Sequence, residues 1–147
     1  MHQSIRIAIV GDDTICRQMS ALLTESGDFT VVGEASDGDG ALVLVRDHRP
    51  DVLLLSLEAL GSDGPETVAQ VRALSPGTQV IVWNGSGQEH LVLEAFLRGA
   101  LGHLVRGAAG PDDVIRAIRT VYRGEAVLSP ILAGHILDEV IRGLREH

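Results

Sequence analysis

Short apolar runs alternate with stretches of helical periodicity along this chain, and this alternation restricts the possible folds more than any other feature. Five runs have the length and composition of buried strands, at residues 4–10, 29–34, 52–56, 79–83 and 101–105. Each run is followed by apolar residues at helical spacing. Strands that alternate with helices through short loops form a doubly wound parallel sheet with right-handed crossovers. The sequence therefore predicts a five-stranded α/β fold.

The third run ends in a small hydroxyl residue at a position where function is often found. Val52 to Leu55 are all apolar, which is typical of a central strand that is buried on both faces, and Ser56 follows them. Functional groups of open α/β sheets collect at the carboxyl ends of strands. Ser56 is therefore a candidate for chemistry, although the Gly-x-Ser-x-Gly turn of serine hydrolases is missing. The simpler interpretation is a small residue that ends a strand.

The charge balance and the single cysteine exclude several classes of function. The 147 residues include 12 Lys and Arg against 20 Asp and Glu, a formal net charge of −8. An acidic chain of this kind does not offer the basic surface that nucleic acids require. Cys16 stands alone, so no disulfide framework is possible. No apolar stretch has the length of a membrane span or of a signal peptide core, and we expect a soluble, cytoplasmic protein with no membrane contact.

The sequence divides into a domain, residues 1–127, and a C-terminal segment, residues 128–147. Ser129-Pro130 predicts the start of one extra helix that the sheet does not need. Its apolar residues recur at helical spacing: Ile131, Leu132, Ile136, Leu137, Val140, Ile141 and Leu144. Exposed together, they would form an adhesive patch. This linker or dimerisation helix could pack on its own domain, on a second copy of the chain or on an output domain.

Several short motifs, in this order, resemble the receiver domain of bacterial two-component response regulators, most closely the NarL/FixJ type. The motifs are VVGEASDG at residues 31–38, RPDV at 49–52, ALSP at 73–76, Gly99-Ala100 ahead of the fifth strand, and GEAVLSP at 124–130. The resemblance implies a flavodoxin-like sheet of order 2-1-3-4-5 and a role in signal transduction and transcription regulation. It also implies a helix-turn-helix output domain after the linker.

The resemblance further implies a phosphorylation site at the carboxyl edge of the sheet. In receivers an aspartate that ends the third strand accepts a phosphoryl group, and a pair of acidic residues after the first strand holds Mg²⁺. A hydroxyl that ends the fourth strand and a lysine that ends the fifth contact the phosphoryl oxygens. An aromatic residue on the fifth strand changes rotamer with them.

Carried over residue by residue, the resemblance implies that this chain has lost most of that site. Ser56 stands at the phosphoacceptor position, and Asn84 stands at the position of the fourth-strand hydroxyl. Arg106 replaces the lysine, with a planar fork in place of a point charge, and His103 replaces the aromatic switch residue. A serine hydroxyl cannot take over from an ionised carboxylate unless a base lies next to it.

Asp12 and Asp13 stand where the acidic pair belongs, but the loop is one residue shorter than in the family. Either Asp12 alone fills the pair or both residues are shifted. They could bind a divalent metal, or they could be a helix N-cap and a first-turn carboxylate; Asp13 or Thr14 is the alternative cap. A buried Asp12–Arg106 ion pair is a further possibility. Because Ser56 removes one oxygen ligand, we predict neither a bound metal nor a cofactor.

These features predict an atypical, phosphorylation-independent receiver domain, and not an enzyme. It would act by homodimerisation or by control of a DNA-binding output domain that this chain does not contain, so any DNA contact would be made through that domain. The alternative is a small-ligand sensor or a stand-alone protein-interaction module. It would use the acidic crevice near Asp12, Ser56, Asn84 and Arg106. The loop of residues 84–87 could bind an anion or simply be mobile.

Overall fold

Five parallel strands form one sheet in the order β2-β1-β3-β4-β5. The computed structural model describes residues 4–85 and 88–146, so Ser86 and Gly87 of the loop after β4 lie outside the described residues. The strands are β1 (Ile5–Val10), β2 (Phe29–Ala35), β3 (Val52–Ser56), β4 (Gln79–Asn84) and β5 (Gly102–Val105). The predicted doubly wound α/β fold and its strand order are confirmed, and each boundary lies within two residues of the predicted one.

Helices cover both faces of this sheet. They are α1 (Asp13–Ser26), α2 (Gly38–His48), α3 (Leu57–Leu60), α4 (Gly64–Leu74), α5 (Glu89–Leu97), α6 (Pro111–Tyr122) and α7 (Pro130–Arg145). Alternate residues of β3 point to opposite sides: Leu53 packs in the core with α2, α4 and α5, whereas Leu54 packs in the core with α1 and α6. Burial on both faces explains why the central strands are continuously apolar.

Two local features differ from the sequence prediction. A short helix, α3, follows β3 directly and leads into a 3₁₀ turn at Gly61–Asp63, where a loop was expected. Asp12 caps α1, since its Oδ1 accepts a hydrogen bond from the backbone N–H of Ile15 at 2.8 Å. This agrees with the interpretation of Asp12 and Asp13 as a helix cap and a first-turn carboxylate, whereas the alternative cap, Asp13 or Thr14, was wrong by one or two positions. Asp13 is the first-turn carboxylate of α1, where the helix dipole favours a negative charge.

The extra C-terminal helix is present and is anchored at its first turn. Ser129 is its N-cap and accepts a hydrogen bond from the N–H of Leu132 at 3.2 Å. Leu132 is only 4% exposed and joins the core beside α5, and Ile136 packs against the same cluster. The other apolar side chains of the stripe stay exposed: Ile131, Leu137, Val140, Ile141 and Leu144. Within the described residues, no helix is long and apolar enough to cross a membrane.

Candidate functional site

The carboxyl ends of β3, β4 and β5 lie side by side and bring four of the predicted site residues to one edge of the sheet. Ser56 pairs in register with Trp83, and Asn84 pairs with Val105. The next residue, Arg106, donates its backbone N–H to the carbonyl of Asn84 at 2.7 Å. We refer to Ser56, Glu58, Asn84, His103 and Arg106 as the strand-end cluster.

Ser56 has a structural role in this cluster. The residue is 2% exposed, and its hydroxyl accepts a hydrogen bond from the N–H of Ala59 at 3.3 Å. It is thus the N-cap of α3, a position for which serine is a preferred residue. An accepted hydrogen bond at a helix start holds the chain in place, and it does not prepare the oxygen to attack a substrate.

Asn84 and His103 form a buried polar pair. Asn84 is 3% exposed and His103 is 9% exposed. Their Oδ1 and Nε2 atoms lie 2.7 Å apart. Because an amide oxygen only accepts, His103 donates from Nε2, and Nδ1 is left as an acceptor without a partner among the described residues. Burial lowers the pKa of His103, and the nearby Glu89 carboxylate opposes this effect. The imidazole is therefore neutral at pH 7.

Arg106 forms an ion pair that the sequence did not predict. Its guanidinium donates to Oε2 of Glu58 at 2.7 Å, with the two side chains 53% and 34% exposed. The hypothesis of a buried Asp12–Arg106 pair was wrong, because Glu58 binds this arginine and Asp12 caps α1. A carboxylate two residues after the end of a central strand was the available signal for Glu58. A side chain at Gly85 would place Cβ 2.8 Å from Oε1 of Glu58, so the loop after β4 passes close by.

The acidic residues after β1 do not assemble the family's magnesium site. Asp12 uses one carboxylate oxygen to cap α1. Asp13 lines a shallow groove on the β2 side of the sheet together with Arg17 and Glu34. In residues 4–85 and 88–146, no three His, Cys, Asp or Glu side chains lie close enough to hold a metal ion. A buried serine hydroxyl and one capping carboxylate are a poor donor set for Mg²⁺, which prefers several carboxylate and water oxygens.

A cavity of about 330 Å³ opens beside the strand-end cluster, between the ends of β4 and β5, α5 and the start of α7. Its lining is Asn84, Gly85, Glu89, Val92, His103, Val105, Arg106, Ser129, Ile131, Leu132 and His135. We call it the α7 cavity. Of the four residues in the predicted acidic crevice, Asn84 and Arg106 line it. Ser56 and Asp12 are not among its lining residues, so the structure separates the crevice into two places.

Comparison with known proteins places this geometry in one family. The sequence model of one protein family, the response regulator receiver domain, matches residues 7–119. The chain is 29% identical over 143 residues to an uncharacterized transcriptional regulatory protein, YxjL, of Bacillus subtilis. The alignment covers 97% of this chain and 65% of that protein. It is 34% identical over 135 residues to the nitrate/nitrite response regulator protein NarL of Escherichia coli, covering 88% of this chain and 62% of that protein. These relatives are named as regulators and not as enzymes.

Solved structures agree with the sequence relatives. A LuxR-family two-component response regulator from Aurantimonas has a TM-score of 0.78 at 27% identity, covering 95% of this chain and 99% of that one. The signal receiver domain of the putative response regulator NarL from Mycobacterium tuberculosis has a TM-score of 0.75 at 31% identity, covering 84% and 99%. The chain spans just under two thirds of the length of the curated relatives it matches. It belongs to the response regulator receiver domain family, in the branch of the NarL and LuxR-type two-component regulators.

Proposed function

We propose that this chain is an atypical receiver domain that signals without aspartyl phosphorylation, as part of a transcriptional response regulator in the cytoplasm. The observation that carries the proposal is Ser56. It ends β3 at the position that we assign to the phosphoacceptor, and its buried hydroxyl caps α3. An acyl phosphate forms when an ionised carboxylate attacks, and a serine hydroxyl with an ordinary, very high pKa does not replace it.

The contacts of the other cluster residues support the same proposal. A receiver needs a free cation and a free donor for the phosphoryl oxygens. Here the Arg106 guanidinium binds Glu58, and Asn84 accepts a hydrogen bond from His103. An incoming phosphoryl group would have to compete with the Glu58 carboxylate for Arg106 without a metal ion to offset its charge, and the amide of Asn84 is held in place through its oxygen. We therefore infer that the cluster is held in one arrangement by its own side chains.

Intact-mass measurement after incubation with acetyl phosphate and Mg²⁺ tests this proposal. We expect the mass to stay unchanged under conditions in which a receiver that keeps the strand-end aspartate gains a phosphoryl group. That receiver is the positive control for the reagent. A stoichiometric phosphoryl adduct on this chain would contradict the proposal.

We further propose a division of labour along the chain. Residues 1–127 would form the receiver domain, and residues 128–147 would form a linker or dimerisation helix that leads toward a DNA-binding output domain. The relatives are transcriptional regulators that are longer than this chain, which supports an output function outside it. The exposed stripe of Leu137, Val140, Ile141 and Leu144 on α7 supports a homodimer, since a self-complementary apolar patch favours a two-fold contact.

Light scattering at increasing protein concentration tests the dimer. The parent chain is expected to approach twice the monomer mass, and the double variant Leu137→Lys, Leu144→Lys is expected to stay monomeric because two charges would be buried without partners. Val43→Lys is the matched control, because Val43 is also exposed but lies on α2. A parent chain that stays monomeric at every concentration would rule out α7-mediated dimerisation.

The alternative function, sensing of a small ligand, also has a specific observation in its favour. Asn84 and Arg106, two of the residues predicted for it, line the α7 cavity. The cavity is walled by both the sheet edge and the linker helix, so an occupant would contact the receiver domain and the segment that leads out of it. A stand-alone protein-interaction module is the remaining alternative, in which the exposed face of α7 would bind another protein.

A further inference from the structure

We propose that the α7 cavity binds a small, neutral, mostly apolar organic molecule that carries one hydroxyl or N–H donor, and that this ligand holds α7 on the domain. The inference rests on the ligand-sensing alternative and defines its site and ligand class. It does not require that the receiver be independent of phosphorylation.

The size and lining of the cavity fit a small molecule. Its volume of about 330 Å³ lies at the lower end of the range for ligand pockets, which are mostly apolar with a few placed polar groups. The apolar part of the wall is Val92, Val105, Ile131 and Leu132. A helix of a partner protein, with a diameter of about 10 Å, is too bulky for this space. An occupant with a compact apolar ring is the better match.

The polar part of the wall requires a donor from the ligand. His103 uses Nε2–H on Asn84, which leaves Nδ1 as a buried acceptor without a partner among the described residues. A buried acceptor without a donor raises the free energy of the folded protein. A ligand O–H or N–H that reached this nitrogen after a small shift of the ring would remove that penalty. Burial lowers the pKa of His103, so the acceptor stays unprotonated at neutral pH.

The charges around the cavity favour a neutral ligand. Arg106 faces it but already binds Glu58, and Glu89 adds a carboxylate to the same wall. His103 and His135 are the other ionisable residues of the lining. The Glu89 carboxylate would repel an anion, and the Arg106 guanidinium would repel a cation. An uncharged molecule is repelled by neither group.

Binding would be coupled to the position of the linker helix. Ser129, Leu132 and His135 belong to the α7 side of the cavity, and Asn84, His103 and Val105 belong to the sheet edge. A ligand that contacts both sides binds only while α7 is docked. By mass action it therefore raises the population of the docked state. Ligand binding would therefore act as an input signal on α7, the helix through which an output domain would be controlled.

Phenol and anisole are a matched pair of probes, because they share an aromatic ring and differ in the hydroxyl donor. In NMR titrations of the ¹⁵N-labelled chain, phenol is expected to shift the amide signals of residues 102–106 and 129–135 in a saturable way. It should also move the ¹⁵N signal of His103 Nδ1, which reports directly on a new hydrogen bond. Anisole is expected to bind about five-fold more weakly, the usual effect of one neutral hydrogen bond.

Two pairs of variants locate the site. Val105→Phe places a ring in the cavity and is expected to abolish the phenol shifts, whereas Val43→Phe on α2 should leave them unchanged. If Val105→Phe does not fold by circular dichroism, Ile131→Trp at the exposed mouth takes its place, with Leu137→Trp on α7 as its control. Absence of saturable shifts, shifts that persist in the blocked variant, or equal affinity for anisole would each overturn the inference. A mass gain with acetyl phosphate would instead contradict only phosphorylation independence.

Discussion

Replacing Leu132 with alanine is expected to release α7 from the receiver domain. The side chain is 4% exposed and lies in the core beside α5, whereas most other apolar residues of the helix are exposed. Truncation of a buried leucine to alanine costs about 2–5 kcal/mol, and here most of that energy holds a single helix. We therefore expect the amide protons of α7 to exchange at least about 30-fold faster, while those of the central strands change much less.

Leu137→Ala is the matched control for this experiment. Leu137 lies on the same helix but is 57% exposed, so its truncation is expected to change stability by no more than about 0.5 kcal/mol. The change in intrinsic helix propensity is the same in both variants, which isolates the docking contact. If both variants accelerated exchange along α7 equally, Leu132 would not be the anchor that the structure indicates.

The fold was predictable from the sequence because its signals are local and repeated. The central strands are largely apolar runs, and most boundaries are marked by Gly, Pro or Asp, so the order of strands and helices could be read along the chain. The helix α3 was missed because four residues are too few to show a helical period. The cap of α1 could not be assigned to one residue because Asp12, Asp13 and Thr14 are all residues that favour capping, and only the backbone conformation separates them.

The candidate site was predictable only in part, for a different reason. The rule that strand ends meet at one edge of a parallel sheet predicts that Ser56, Asn84 and Arg106 lie at one edge, and of these only Asn84 and Arg106 line the α7 cavity. Which side chains then bind each other depends on rotamers and on the path of the loops. Arg106 binds Glu58 because α3 carries that carboxylate back over the sheet edge, and no sequence pattern gives that direction. The α7 cavity joins residues from β4 to α7, so it exists only in the packed structure.

Replacing Ser56 with aspartate is expected to destabilise the protein strongly, even though it restores the residue that the family carries. Position 56 is 2% exposed. Arg106, the cation that the sequence analysis assigned to the same site, is bound to Glu58. A carboxylate there loses its hydration without gaining a partner. We expect the free energy of unfolding at pH 7 to be lower by on the order of 2–4 kcal/mol than in Ser56→Asn, which has the same size and can still cap α3 but has no charge.

The pH dependence of this pair of variants shows whether the buried charge is the cause. Burial raises the pKa of the introduced carboxyl in the folded state above the ordinary value of about 3.9. The penalty is therefore complete above the folded-state pKa and fades as the pH falls toward the unfolded-state value. Urea denaturation should show a smaller difference between Ser56→Asp and Ser56→Asn at pH 5 than at pH 7.

The effect of Mg²⁺ on stability distinguishes a phosphorylation site that has also lost its metal ligands from one that has lost only its phosphoacceptor. Asp12 caps α1 and Asp13 faces a groove on the β2 side, so the two carboxylates are not arranged to share a metal ion with position 56. Millimolar Mg²⁺ is thus expected to leave the stability of Ser56→Asp and Ser56→Asn equally unchanged. If Mg²⁺ stabilised only Ser56→Asp, the acidic pair would still function, because a ligand raises stability only where the folded state binds it. The loss of phosphorylation would then rest on Ser56 alone, and one substitution would be enough to reverse it.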